Sequence, residues 1–184
     1  MKILQRDLYQ QLKAEANETR ERIASIVLPL DLAKLQEHPE SGGWSIAQVM
    51  EHLCVADEKY EDRLKHMIAT ARMDASAMAR EWKSSFIGGM IAESLLKPKK
   101  LKAPKVFEPG PTPRDGVVEA LLSGEKDFVK AMDASTSLDW RKLRIKSPAL
   151  PSWAPSMNLG DGFRIHIVHL TRHSHQIERI AKQL

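Results

Sequence analysis

The sequence predicts an all-α fold, a four-helix bundle with long crossover connections, and three observations lead to it. Four stretches repeat apolar residues at steps of three and four, which is typical of amphipathic helices. No stretch alternates apolar and polar residues with the period of two that half-buried strands require. One long proline-rich segment separates the helical stretches, as crossover connections do in helical bundles. The 184 residues suffice for one domain, 1–184, with a sizeable core.

Composition and charge indicate a cytoplasmic globular protein. Hydrophobic residues make up 42% of the chain and charged residues 28%, which is ordinary for such proteins. The formal net charge of +4 is spread along the chain, so we expect no nucleic-acid partner. Cys54 is the only cysteine, which excludes an internal disulfide and fits a reducing compartment. The first residues become charged too soon for a signal peptide, and no apolar run is long enough to cross a membrane.

The first two long helices have clear sequence signals. Apolar residues at helical spacing predict the first over roughly Gln5 to Val27. The second begins with a capping box, in which Ser45 caps the backbone and Gln48 reaches back to it. Trp44 before the cap is placed to pack on the first turn as a hydrophobic staple. The apolar stripe that follows predicts that this helix continues to the high 70s.

Glycine and proline punctuate the middle of the chain. Residues 81–96 are expected to form one short helix, or two that are broken by Gly88 and Gly89. The lysine- and proline-rich segment 97–105 is expected to be an extended crossover. The third long helix is predicted to begin with Thr112 as cap and Pro113 at the first helical position.

The segment 137–155 contains three prolines, so we expect it to be irregular. Trp140 and Trp153 within it are expected to pack over the bundle. Asn158 as cap, with Asp161 three residues later, predicts the start of the last helix, which reads as one element to the end of the chain.

Histidines interrupt the apolar stripes of two helices. His169 and His173 lie four residues apart and therefore share one face of the last helix. His52 falls within the apolar stripe of the second helix. Burying these rings costs free energy unless they find hydrogen bonds or a metal ion. They are either core histidines bonded to carbonyl groups or ligands of a divalent ion. Three neutral imidazoles would suit a borderline ion and leave a position for water or substrate, but the spacing alone leaves both readings open.

Neighbouring polar residues leave several roles open. His166 lies one turn before His169, so it is either a fourth ligand or, as we prefer, a core or pocket-rim histidine. Gln176 either orients bound water or a ligand ring, or bonds to a neighbouring helix. His175 is one step past the face and is expected to be exposed.

Other residues near His52 in sequence do not identify a general acid or base. The carboxylates are Glu51, Asp57 and Glu58; only Asp57 and Glu58 flank the buried stripe, and their spacing does not establish either as a ligand. Tyr60 lies on the same stripe and either points its hydroxyl into the pocket or, as we prefer, packs. Cys54 is rotated about 200° from His52 at helical spacing, so we expect an inert buried thiol away from the ion.

Two segments, Gly43–Leu53 and His169–Ile177, together resemble the DinB-like family of metal-binding four-helix bundles. The family pattern is a Trp-Ser start to the second helix with a histidine later in it. A histidine, three residues, a second histidine and Gln-Ile then follow on the last helix. The resemblance implies that His52, His169 and His173 hold one divalent ion, zinc, nickel or iron, with open coordination positions. Gln176 would support a metal ligand by a hydrogen bond without binding the ion itself.

The resemblance also implies chemistry, since characterised relatives are thiol-dependent transferases or isomerases. They use a low-molecular-weight thiol such as bacillithiol, mycothiol or glutathione together with an electrophilic substrate, and they are often homodimers. The cleft between the second and last helices is where we expect the substrate. The alternative is a non-catalytic, stress-induced metal-binding protein, in which His166 closes the coordination. A nucleic-acid binder that uses the lysines of segment 97–105 is the weakest hypothesis, since no aromatic residues are interleaved with them.

Overall fold

The computed structural model describes residues 2–97 and 102–184, and within these residues the chain is mostly helical. This agrees with the predicted all-α class. The helices are α1 (Gln5–Val27), α2 (Leu32–Gln36), α3 (Ile46–Thr70), α4 (Phe86–Leu96), α5 (Val117–Ala134) and α6 (Leu159–Ala181). The strands are β1 (Lys2–Leu4), β2 (Glu81–Lys83), β3 (Arg144–Ile145) and β4 (Met157–Asn158). No described helix combines the length and the apolar character needed to span a bilayer.

The four long helices contact one another in a ring. Helix α1 packs against α5 and α6, and α3 packs against the same two helices. Helix α4 covers the outside of α6. The side chains that fill the interior form two clusters of buried apolar residues, one that includes Leu53 and Leu170 and one that includes Trp140 and Phe163. Helices α3 and α6 are therefore held face to face, which places their histidines opposite each other.

Capping sets the starts of α3 and α6 as predicted. Ser45 accepts a hydrogen bond from the backbone N–H of Gln48, and the Gln48 side chain accepts one from Ser45. Asn158 and Asp161 form the same reciprocal pair at the start of α6. Both helix starts, and the bounds of α1, were correct from sequence alone.

Two short antiparallel sheets correct the expectation of no strands. Strand β1 pairs with β2, and β3 pairs with β4. Each strand has only two or three residues, which is too short for an alternating pattern to be visible in sequence. Helix α2 was also absent from the prediction.

Helix α3 ends at Thr70, so its predicted extension to the high 70s is wrong. Ala71 adopts an extended conformation, and the N–H of Asp74 donates to the carbonyl of Ser137 at 2.6 Å. The Asp74 carboxylate then accepts hydrogen bonds from Ser76 and from Arg80. These contacts hold the segment after α3 in a turn.

Gly88 and Gly89 do not break α4, contrary to one reading of the sequence. A Cβ at Gly88 would lie 2.2 Å from the side-chain carboxyl carbon of Asp161, so the glycine permits a close approach of α4 and α6. The expected helix over residues 81–85 is instead β2 and a turn. Ser85 caps α4 and also donates to Asp161 at 2.6 Å.

Helix α5 begins four residues later than predicted, at Val117, with Gly116 as its cap. Gly116 has φ of 67°, a left-handed conformation that glycine adopts without steric cost. The backbone N–H and the guanidinium of Arg114 both donate to Glu51 of α3. This contact holds the residues after Pro113 outside the helix, so the Thr112 cap does not form.

The two tryptophans of the irregular segment differ. Trp140 is fully buried and its indole N–H donates to the carbonyl of Ser135 at 3.0 Å. Trp153 is 83% exposed, which corrects the expectation that it packs over the bundle. It lies in a surface turn, in which the N–H of Ala154 donates to Pro151.

Candidate metal centre

Three histidine rings from α3 and α6 meet inside the ring of helices, and we call His52, His169 and His173 the three-histidine cluster. One nitrogen of each lies within 4.8 Å of the others. The ring centroids are 4.9 Å apart for His52 and His169, and 4.5 Å apart for His169 and His173. His52 and His173 are buried. The structure thus brings together the three histidines that the sequence singled out.

Hydrogen bonds fix which nitrogen of two rings carries the proton. His52 Nδ1 lies 2.6 Å from the carbonyl oxygen of Phe107 and must donate to it, because a carbonyl only accepts. His173 Nδ1 lies 2.8 Å from the side-chain amide oxygen of Gln176 and donates in the same way. The Nε2 atoms of both rings therefore carry a lone pair and no proton, which is the form that binds metal ions.

Burial keeps all three imidazoles neutral. Burial lowers the pKa of His52 below its usual value, against the smaller opposing effect of the Phe107 carbonyl. Burial lowers the pKa of His169 well below its usual value, and the proximity of His173 and His52 adds to this. Burial and the charge that His52 would carry lower the pKa of His173 to about 3. Neutral imidazole is the metal-binding form, so these shifts favour an ion over a proton at pH 7.

The donor set fits a divalent ion. His52 Nε2 and His169 Nε2 are 2.9 Å apart. Since Nδ1 of His52 carries its proton, this pair requires a proton on His169 or a shared cation. Metal–nitrogen bonds of about 2.0–2.1 Å place two nitrogens on one ion at about 2.9–3.4 Å from each other, depending on the coordination angle. Three neutral nitrogens and no charged ligand suit a borderline ion such as zinc.

A groove leads to the cluster. The His52 ring packs on Trp44, with centroids 5.0 Å apart, and both residues line a groove of about 1850 Å³. Tyr60 and Phe128 line the same groove. This space exceeds the roughly 300–1,000 Å³ of a usual small-molecule pocket, so it has room for two small reactants.

His166 belongs to a second group of side chains, Asp57, Glu125 and His166, which we call the carboxylate cluster. Its Nδ1 lies 3.1 Å from Asp57 and its Nε2 lies 3.0 Å from Glu125. Both nitrogens are thus engaged away from the three-histidine cluster. This matches the preferred expectation of a core or pocket-rim residue, since both nitrogens contact carboxylates and not the three-histidine cluster.

The carboxylates reverse the effect of burial on His166. Burial by itself lowers the pKa of this ring, but the negative charges of Glu125 and Asp57 outweigh it and raise the pKa to about 10. Burial raises the pKa of Asp57 to about 6, although His166 opposes the rise. In the metal-free protein, His166 is therefore an imidazolium between two carboxyl groups.

The remaining candidates from sequence have structural roles. His175 is exposed, as expected. Cys54 is buried among apolar residues, and burial raises the pKa of its thiol to about 12, so the expected inert thiol is confirmed. Glu51 and Glu58 both bind Arg114.

The Tyr60 hydroxyl donates to Ser147 at 2.8 Å and its ring stacks on Phe107, so packing accounts for this residue. Gln176 accepts from a ring of the three-histidine cluster and thereby orients it, which selects one of the roles that the sequence left open.

Sequence reasoning missed two contributors. Glu125 follows Leu121 by four residues and Val117 by eight, a spacing that places a carboxylate on the buried face of α5 and could have revealed it. The carbonyl of Phe107 gives no sequence signal. It lies in a short turn, Lys105–Phe107, that contacts α3 after the crossover. Part of the lysine-rich segment, residues 98–101, lies outside the described residues.

Comparisons with known proteins identify one family. A family model described as the DinB superfamily matches residues 15–177. No curated protein and no solved structure matched the chain. The matched range contains all members of both clusters.

Proposed function

This chain belongs to the DinB superfamily, and from that premise we propose that it is a divalent-metal-dependent enzyme, a low-molecular-weight-thiol S-transferase or isomerase. His52, His169 and His173 would hold one ion, zinc, nickel or iron. The single observation that carries the proposal is the convergence of one nitrogen from each of the three histidines within 4.8 Å, with the Nδ1 protons of His52 and His173 already held by acceptors. Bound there, such an ion lowers the pKa of a thiol or water in its open position, so that a nucleophile is available at neutral pH.

The residues of the chain would prepare the site in advance. Phe107 and Gln176 hold two ligand rings in one tautomer and one orientation. Ion binding therefore does not have to supply the free energy of ordering these rings. Trp44 covers one side of His52, which limits the access of water to the ligand ring. The groove between α3 and α6 would bind the thiol and the electrophile.

An open coordination position supports catalysis over a purely structural ion. Both nitrogens of His166, the suspected fourth ligand, are occupied by Asp57 and Glu125. A fourth protein ligand that closed the coordination of the ion would favour the alternative, a non-catalytic metal-binding protein. We further propose that the four long helices form the four-helix bundle of a single domain, 1–184. The cytoplasmic location, the homodimer and the absence of a nucleic-acid or membrane partner are proposals on the same footing.

The test is elemental analysis of purified wild-type protein and of His169→Ala, with His175→Ala as the matched control on the same helix. We expect His169→Ala to carry about one ion per chain less than wild type and His175→Ala to be unchanged. A panel of electrophiles with glutathione, bacillithiol and mycothiol then follows. We expect metal-dependent conjugation or isomerisation that His169→Ala lacks.

Two results would overturn parts of the proposal. Equal metal content in wild type and His169→Ala would remove the metal site and the enzyme with it. A stoichiometric ion without any thiol-dependent turnover would favour the non-catalytic alternative.

A further inference from the structure

The carboxylate cluster gathers oxygen and nitrogen donors from three helices. Asp57 comes from α3, Glu125 from α5 and His166 from α6. One donor atom of each lies within 4.8 Å of the others. The cluster shares the groove with the three-histidine cluster, since Asp57 and His166 also line it.

One oxygen of this cluster lacks a partner. In residues 2–97 and 102–184, Glu125 Oε1 is the buried side-chain polar atom without a hydrogen bond. The Glu125 side chain is only 2% exposed. A buried carboxylate oxygen without a donor costs free energy, and such an oxygen usually interacts with an ion or a water. The oxygen belongs to the same carboxylate that contacts His166. Its lack of a partner therefore indicates a ligand beside this cluster.

The charges of the cluster also call for a cation. Two carboxyl groups face one imidazole, with Asp57 3.1 Å from Nδ1 and Glu125 3.0 Å from Nε2 of His166, and a carboxylate that no cation compensates is costly to bury. With a neutral imidazole, a divalent ion cancels both carboxylate charges. His166 can give one nitrogen to an ion while the other nitrogen keeps its bond to a carboxylate, an arrangement that commonly orients metal-bound histidines. The ring is already held by stacking on Phe128, at 3.5 Å between centroids.

We propose that Asp57, Glu125 and His166 form a second divalent-cation site, separate from the three-histidine cluster. Two oxygen donors and one nitrogen suit Mn²⁺ or Fe²⁺ better than the all-nitrogen cluster does. The ion takes the place of the proton on one nitrogen of His166, so binding releases a proton and strengthens from pH 6 to pH 8. The site does not depend on the proposed enzyme function.

The test isolates this site by disabling the other one. Metal-free His169→Ala protein is titrated with Mn²⁺ at pH 8, and free Mn²⁺ is followed by electron paramagnetic resonance. We expect one Mn²⁺ per chain. Adding Glu125→Gln, which keeps the shape and removes the charge, is expected to weaken Mn²⁺ binding at least tenfold. Glu119→Gln, at an exposed carboxylate of the same helix, is the matched control and is expected to leave binding unchanged.

Circular dichroism on every variant confirms that it is folded, and Asp57→Asn replaces Glu125→Gln if that variant does not fold. If Mn²⁺ does not bind with a Kd below about 1 mM, a weak affinity by the usual scale, the proposal is overturned. A water or a proton would then satisfy Glu125. Equal affinity in the Glu125→Gln and Glu119→Gln backgrounds would overturn it as well. Failure of the three-histidine proposal is seen separately, as equal zinc content in wild type and His169→Ala.

Discussion

The three-histidine cluster and the carboxylate cluster both contain residues of α3 and α6. The pKa values of their α6 histidines nevertheless shift in opposite directions. His169 and His173 have lowered pKa values, whereas the pKa of His166 is raised to about 10. Burial lowers the pKa of all three. The difference comes from the neighbours, which are other imidazoles in one cluster and two carboxyl groups in the other. Burial therefore favours the neutral ring in both clusters, and the neighbouring carboxyl groups reverse this preference only at His166.

The largest expected effect tests the ionic half of this comparison. His166→Ala in metal-free protein at pH 8 is expected to lower the free energy of unfolding by about 3–5 kcal/mol, because it removes the cation from between the buried carboxyl group of Glu125 and the partly buried one of Asp57. Urea unfolding in the presence of a chelator measures this. His175→Ala, at an exposed ring, is expected to stay within about 0.5 kcal/mol of wild type. A loss below about 1 kcal/mol would show that His166 is not charged in the folded protein.

The second prediction uses the direction of the His166 shift. Its pKa is near 6.5 in the unfolded chain and about 10 in the folded protein. The stability it contributes is therefore fully present below pH 6.5 and is lost as the pH rises from 6.5 to 10. The slope is at most about 1.4 kcal/mol per pH unit. The pKa of Asp57, which is raised to about 6, lies below this pH range.

The measurement is the difference in unfolding free energy between metal-free wild type and His166→Ala at several values of pH. We expect this difference to be largest near pH 6 and to shrink towards pH 10. A difference that stays constant across this range would contradict the assigned charge.

The smallest expected effect concerns the neutral cluster. Gln176→Ala is expected to weaken zinc binding by about tenfold, since the acceptor that orients His173 is lost. Gln176→Glu offers a carboxylate to the same N–H and is expected to bind zinc at least as tightly as wild type. Competition with a chromophoric chelator measures both. Gln183→Ala, at an exposed position, is the control, and an affinity of Gln176→Ala within twofold of it would leave Gln176 without an orienting role.

Local signals in the sequence were sufficient for much of the fold. The capping boxes at Ser45 and Asn158 and the apolar stripe of α1 depend on residues three or four apart, so they are visible without tertiary structure. The start of α5 was misplaced because a contact between Arg114 and Glu51, 63 residues apart, holds the chain outside the helix. The strands were missed because each is two or three residues long.

The sequence by itself placed His169 and His173 on one face of α6 and His52 in an apolar stripe of α3, and the resemblance to the family marked these three residues as one set. Only the tertiary structure decided the charge of each ring. Whether a buried imidazole faces the carbonyl of Phe107, a second imidazole or the carboxylates of Asp57 and Glu125 depends on which helices pack together. That choice sets the pKa of each ring through contacts between residues far apart in the chain.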